Sequence, residues 1–199
     1  MRGLSPGLYG IADATFGDPV EMARALVTAG CRTIQLRAKH YNKDQVHSAA
    51  VAIRNIVRDG LFIVNDHIDV ASNVCADGVH LGQHDSPLAT ARAQLGPEAI
   101  IGISTHTLGQ VRRAQGASYI GFGPVFSTAT KENPGSPKGI EALRSAVEIS
   151  SIPVVAIGGI TTSTLEDVRG SGVHCWAVIR AIVDCPDIAT EARRFLIKP

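Results

Sequence analysis

Two acids stand at matching places in two successive apolar runs. Phe62-Ile63-Val64-Asn65-Asp66 breaks from apolar residues into an amide and an acid, and Gly78-Val79-His80-Leu81-Gly82-Gln83-His84-Asp85 again ends in an acid. If both runs are neighbouring parallel strands, Asp66 and Asp85 converge at the same edge. Converging carboxylates are a poor choice for stability and a good one for a hard cation such as Mg²⁺, which takes oxygen ligands. Asn and Asp are also preferred helix caps, so Asn65-Asp66 has a second reading as the start of the next helix. The matching placement of Asp85 favours the metal.

The cations point the same way. Gln35-Leu36-Arg37-Ala38-Lys39 alternates polar and apolar residues, so its three polar side chains share one face of a strand. On an edge strand such a face is merely solvated. On an interior strand it is costly unless a ligand meets it. Arg37, Lys39 and Lys131 neutralise phosphates, and a cation on the two acids would bridge them. The chemistry indicated is metal-assisted work on a phosphorylated compound.

Positioning these groups requires a regular frame. Compact, β-rich apolar runs fall at 8–12, 33–37, 62–65, 78–81, 100–104, 119–123, 153–158 and 175–179. Each is bounded by glycine or polar residues, as strands buried on both faces are. Helical spacing falls between them, at 19–29, 44–57, 66–75, 87–95, 108–114, 140–149, 163–168 and 188–196. Pro19 sits near the start of the first helix and Gly30 at its end, as helix punctuation requires. Strand and helix alternating eight times predict an α/β fold, a compact (β/α)₈ TIM barrel forming a single domain over 1–199. A doubly wound sheet is the second choice. It usually has fewer strands, and Gly10-Ile11-Ala12-Asp13 lacks the glycine fingerprint of a dinucleotide binder.

A barrel keeps its chemistry at the C-terminal ends of its strands. The polar residues there are Gln35, Arg37 and Lys39, then Asn65 and Asp66, then His80, Gln83 and Asp85, then Ser104. Thr128, Thr130 and Lys131 follow the sixth strand, Gly158-Gly159 the seventh and Arg180 the eighth. Glycines after the seventh strand let backbone approach a phosphate, though a tight turn would use them too. His80 alternates with Val79 and Leu81 and reads first as a packed, hydrogen-bonded residue. His84, His106 and His174 read as surface or packing residues. The irregular piece 127–138 is long for so economical a chain and reads as a lid.

Bulk properties narrow the class. With 199 residues, 45% hydrophobic and 19% charged, the chain is globular. A formal net charge of +1 gives no support to nucleic-acid binding. Cys31, Cys75, Cys175 and Cys185 form no Cys-x-x-Cys pair and read as buried free thiols of a reducing cytosol. Neither a signal core nor a membrane-length apolar run is present, so a cytoplasmic protein with no membrane partner is expected. The oligomeric state stays open.

Taken together, these motifs resemble the thiamine-phosphate synthase (thiamine-phosphate pyrophosphorylase) family, from Leu8-Tyr9-Gly10-Ile11 to about Ile182. Gln35-Leu36-Arg37-Ala38-Lys39, Val64-Asn65-Asp66, the stretch from Ala76 to Asp85, Gly123-Pro124-Val125-Phe126-Ser127-Thr128-Ala129-Thr130-Lys131 and Ala156-Ile157-Gly158-Gly159-Ile160 carry the likeness in order. The resemblance implies a (β/α)₈ barrel that joins an aminopyrimidine methyl diphosphate to a thiazole phosphate, releasing diphosphate. It implies that Gln35, Arg37, Lys39, Asn65, Ser104 and Lys131 hold the pyrimidine diphosphate. Asp66 and Asp85 would hold Mg²⁺. Thr128, Thr130, Gly159, Ile179 and Arg180 would hold the thiazole phosphate. Arg37, Lys39 and Lys131 would act catalytically by neutralising the leaving group. Two positions depart from the family: Arg180 stands where serine is usual, and Ser163 or Thr164 must start the helix that an asparagine usually begins. A thiazole tautomerase of the same fold is the alternative, but it has no need of the diphosphate and metal groups.

Overall fold

The computed structural model describes residues 3–114, 116–130 and 135–196. Among them, Gly7–Asp13 (β1), Thr33–Arg37 (β2), Leu61–Asn65 (β3), Gly78–Leu81 (β4), Ile100–Thr105 (β5), Tyr119–Phe122 (β6), Val154–Ile157 (β7) and Cys175–Val178 (β8) close in chain order into a parallel barrel. The α/β barrel expected from the alternation is therefore the fold. Helices follow the strands: Pro19–Ala29 (α1), Lys43–Ile56 (α2), Ile68–Asn73 (α3), Leu88–Leu95 (α4), Leu108–Arg113 (α5), Gly139–Ile149 (α6) and Leu165–Arg169 (α7). Arg180–Val183 (α8) and Ile188–Arg193 (α9) come after β8, and α9 packs against α1 to close the outer ring. Among the described residues no helix is long and apolar enough to cross a membrane.

Local signals explain most boundaries. Asp18 caps α1 by accepting from the Val20 N–H, Pro19 occupies its first turn, and Gly30 ends it in the left-handed region at φ 107°. Asn42 and Gln45 form a capping box that starts α2 one residue earlier than its apolar pattern shows. The third helix is shorter than its sequence span because Asp66 takes φ 66°, which no helix tolerates. α8 has four residues, too few for a periodic pattern, and the sequence did not reveal it. Thr164 takes the N-cap position of α7 without a side-chain cap bond; its hydroxyl accepts from the Thr161 N–H instead.

Alternation along each strand divides the core into two layers. Leu8, Ile34, Leu36, Phe62, Val64 and Val79 face outward into the shell under the helices. Tyr9, Ile11, Leu61, Ile63, Tyr119 and Val155 fill the barrel interior. Period two therefore turns Gln35 and Arg37 inward with Tyr9 and Ile11, and the interior becomes polar toward the C-terminal ends of the strands.

Candidate active site

β1 and β2 lie in register with Asp13 opposite Arg37. Asp13 is fully buried, and its Oδ2 lies 2.5 Å from Arg37 Nη1. The guanidinium is thus fixed at the barrel mouth by a buried carboxylate. Asp13 was not singled out from the sequence; its role comes from the neighbouring strand.

The acids meet at the β3–β4 rim. The Asp66 N–H donates to the His80 carbonyl at 3.0 Å, continuing the β3–β4 ladder past the end of β3. Its carboxylate does not cap α3, whose N-cap position is His67 with no side-chain bond. The capping reading therefore fails. Asp66 Oδ2 instead lies 2.6 Å from Lys39 Nζ. Asp85 accepts from the Gly82 N–H at 2.6 Å, which folds the β4–α4 loop back over the strand end. The two carboxyls are close enough for each to shift the other's protonation. Burial raises Asp66 above the usual carboxylate range and Asp85 raises it further, against the pull of Lys39. Burial also pushes Asp85 up, but its bonds to Asp66 and to the Gly82 amide outweigh this and hold it low. The two acids therefore titrate as a pair.

This donor set fits Mg²⁺. Among the described residues, no three His, Cys, Asp or Glu side chains cluster as an all-protein metal cage. Mg²⁺ seldom uses one; it is commonly bound by one or two carboxylates, waters and substrate phosphates. Two acids sharing a rim with Lys39, on the strand next to Arg37, match that habit.

Inside the rim, a cavity of about 60 Å³ is lined by Gln35, Arg37, Asn65, His80 and Ser104. His80 is hydrogen-bonded on both ring nitrogens, to Tyr119 and to Ser104, as its packed reading required. The exposed Gln83 side chain donates to the Ser104 carbonyl at 2.6 Å, tying the β4–α4 loop to β5.

A larger cavity, about 620 Å³, opens beside it over β6, β7 and β8. Thr128, Thr130, Gly159, Ile179 and Arg180 all line it. The Thr128 and Thr130 hydroxyls are 3.0 Å apart and hold the turn after β6. Gly159 takes φ 65°, and a Cβ there would fall 2.4 Å from the Ser127 carbonyl oxygen. The glycine pair therefore serves the tight turn and the cavity together. Arg180 is half exposed, with Nε 3.1 Å from Asp184 Oδ2 one turn on. Lys131 lies outside the described residues, as does part of the 127–138 piece.

Thr130, His106, Ile157, Ala177 and Ile179 border both cavities, so the two compartments adjoin. His106 was read as surface or packing from sequence and is corrected here: it sits between the compartments. Its Nδ1 bonds the Gly123 carbonyl at 2.6 Å, leaving Nε2 as an acceptor. The signal was available, since His106 follows Ser104 by two residues along the same edge. Cys75 is likewise corrected; it is exposed in a left-handed turn after α3, whereas Cys31 and Cys175 are buried as expected. His174 bonds the Leu4 carbonyl at the opposite end of the barrel, and His84 is exposed.

Known proteins place this arrangement. A family model described as thiamine monophosphate synthase matches residues 8–182. A thiamine-phosphate synthase of Caldicellulosiruptor saccharolyticus is 40% identical over 197 residues, covering 96% of this chain and 89% of that protein. One from Dictyoglomus turgidum is 42% identical over 181 residues, covering 89% and 81%. A solved thiamine phosphate pyrophosphorylase from Pyrococcus furiosus superposes with a TM-score of 0.88 at 36% identity, over 95% of this chain and 93% of that one. A match that spans every strand of the barrel, at such identity to full-length relatives, leads to one conclusion: the chain belongs to the thiamine monophosphate synthase family.

Proposed function

We propose that this protein is a transferase that joins an aminopyrimidine methyl diphosphate to a thiazole phosphate, giving thiamine phosphate and diphosphate. The observation that carries the reading is the pair of adjoining cavities, one reaching toward a rim of acids and cations and the other lined by a glycine-threonine phosphate cradle.

Gln35, Asn65 and Ser104 orient the pyrimidine in the smaller cavity. Arg37 and Lys39 face the diphosphate, and family likeness gives Lys131 the same charge-neutralising role. Asp66 and Asp85 would hold Mg²⁺, which when bound supplies charge neutralisation to the leaving group. Arg37 reaches the site already aligned by Asp13, so little reorganisation is needed as charge develops. Lys39 is half exposed on a long flexible stem and turns from Asp66 toward an incoming diphosphate. Thr128, Thr130, Gly159, Ile179 and Arg180 hold the thiazole phosphate, with the ring toward the shared wall.

The bond between the methylene carbon and the diphosphate oxygen breaks, and the electron pair leaves with diphosphate. The aminopyrimidine spreads the positive charge left on the methylene. The thiazole nitrogen then attacks with its own lone pair, so no side chain has to take a proton. What the chain supplies is proximity and charge neutralisation.

Diphosphate release tests this. With Mg²⁺ and purified protein, sustained release is expected only when both compounds are present. Isomerisation of the thiazole phosphate with no diphosphate released would favour a tautomerase instead.

A further inference from the structure

The chain leaves β6 at Pro124-Val125 and returns to the same two residues where α6 begins. The Lys138 N–H donates to the Pro124 carbonyl at 2.8 Å, and the Gly139 N–H to the Val125 carbonyl at 2.9 Å. Val125 is itself tied to β7, its N–H donating to the Ile157 carbonyl at 2.9 Å. These bonds fix the Lys138 backbone beside the larger cavity, whose lining it shares with Thr128, Thr130 and Gly159.

Helix stability does not explain a lysine at this point. Lys138 holds the N-cap position of α6 and makes no side-chain cap bond. The side chains preferred there accept from free N–H groups, which an ammonium cannot do. The helix dipole puts partial positive charge at the same end, so a cation beside it is unfavourable. An ion pair does not explain it either. Among the described residues Lys138 has no carboxylate partner, although it is half-buried. Arg180 and Asp184, which also line the cavity, are taken up by each other. Together that pair brings almost no net charge to the cavity, and Lys138 brings a whole one.

We propose that Lys138 is a further phosphate-binding residue of the larger cavity, whose charge selects a phosphorylated thiazole over the same thiazole bearing a free hydroxyl. The inference rests on the proposed function, which puts a thiazole phosphate in this cavity. A phosphate monoester carries about −1.5 to −2 charges near neutral pH, more than an arginine already shared with Asp184 can meet. The lysine stem is long and flexible, so its ammonium follows the ligand while its backbone stays pinned to β6. With the anion seated, the cation that opposes the α6 dipole gains its counterion.

Calorimetric titration of the thiazole phosphate and of its free alcohol, with no pyrimidine compound present, tests this in wild type and Lys138→Gln. The variant is expected to bind the phosphate about 10-fold more weakly and the alcohol as wild type does, as loss of one charged hydrogen bond implies. Its thermal midpoint should stay level or rise, because a cation leaves the positive end of α6. Unchanged phosphate affinity would overturn the proposal. So would an equal loss for phosphate and alcohol, or a lowered midpoint, since either marks a structural role. Binding needs no turnover. Absent diphosphate release with a selective loss in Lys138→Gln would remove the proposed reaction and leave the phosphate contact standing, whereas normal coupling with unchanged affinity would do the reverse.

Discussion

Asp13 and Arg37 face each other across the β1–β2 ladder with a charged contact of 2.5 Å, the carboxylate fully buried and the guanidinium nearly so. Breaking a buried pair leaves an uncompensated charge, which typically costs about 3–5 kcal/mol. Asp13→Ala should lose about 3 kcal/mol in urea unfolding at the low end of that range, because Arg37 retains some access to water. It should also lower kcat/KM about 100-fold through a misaligned cation. Wild-type kinetics in a folded variant would mean that Arg37 needs no alignment.

The acid pair makes the opposite demand on stability. Asp66→Asn removes a carboxyl that burial and Asp85 disfavour, so metal-free thermal stability should stay level or rise, whereas Asp85→Asn gives up a charge held low by the Gly82 amide and should lower it slightly. Activity should fall by about 100-fold or more, with a higher Mg²⁺ concentration needed for half-maximal rate. Full activity in either variant removes the metal assignment.

Gly159→Ala tests the cradle. The new methyl would collide with the Ser127 carbonyl at 2.4 Å, on a backbone of φ 65° that disfavours side chains. The turn must shift, so KM for the thiazole phosphate should rise at least about 10-fold, while binding of the pyrimidine compound changes little. An unchanged thiazole KM would place that phosphate elsewhere.

Burial pushes the thiol of Cys31 up to about 11 and that of Cys175 up to about 12. Cys31 also donates to the Leu8 and Thr33 carbonyls. Because the folded values lie above the ordinary thiol value, the native state holds more protons than the unfolded chain above about pH 9. Their contribution to stability is complete below that pH and is lost as pH rises through the folded values. Thermal midpoints should therefore fall steeply above about pH 9, less so in Cys31→Ala. At pH 8, a thiol reagent should label exposed Cys75 rapidly and leave Cys31 and Cys175 until unfolding.

The frame was legible because each strand is a short apolar block and each helix carries its own stop signals; Gly30 and Pro19 mark α1 without help from the fold. Gln35, Arg37 and Asn65 were legible because period-two alternation fixes which way a strand residue faces once the strand is interior. Asp13, Tyr9, Tyr119 and His106 were not. Tyr9 meets Tyr119 across 110 positions of sequence, and nothing local to either residue announces the other. Asp66 suited a helix cap by type, and only its pairing with Asp85 argued otherwise; a left-handed backbone carries it to Lys39.

The central claim is that the two adjoining cavities bring two substrates together for coupling. Oxidation of the product to fluorescent thiochrome reads that event directly. Purified protein given Mg²⁺, the aminopyrimidine methyl diphosphate and the thiazole phosphate should generate thiochrome-forming product steadily, and none should appear when either substrate is withheld. A folded protein that yields no fluorescence above the blank with all components present would contradict the account.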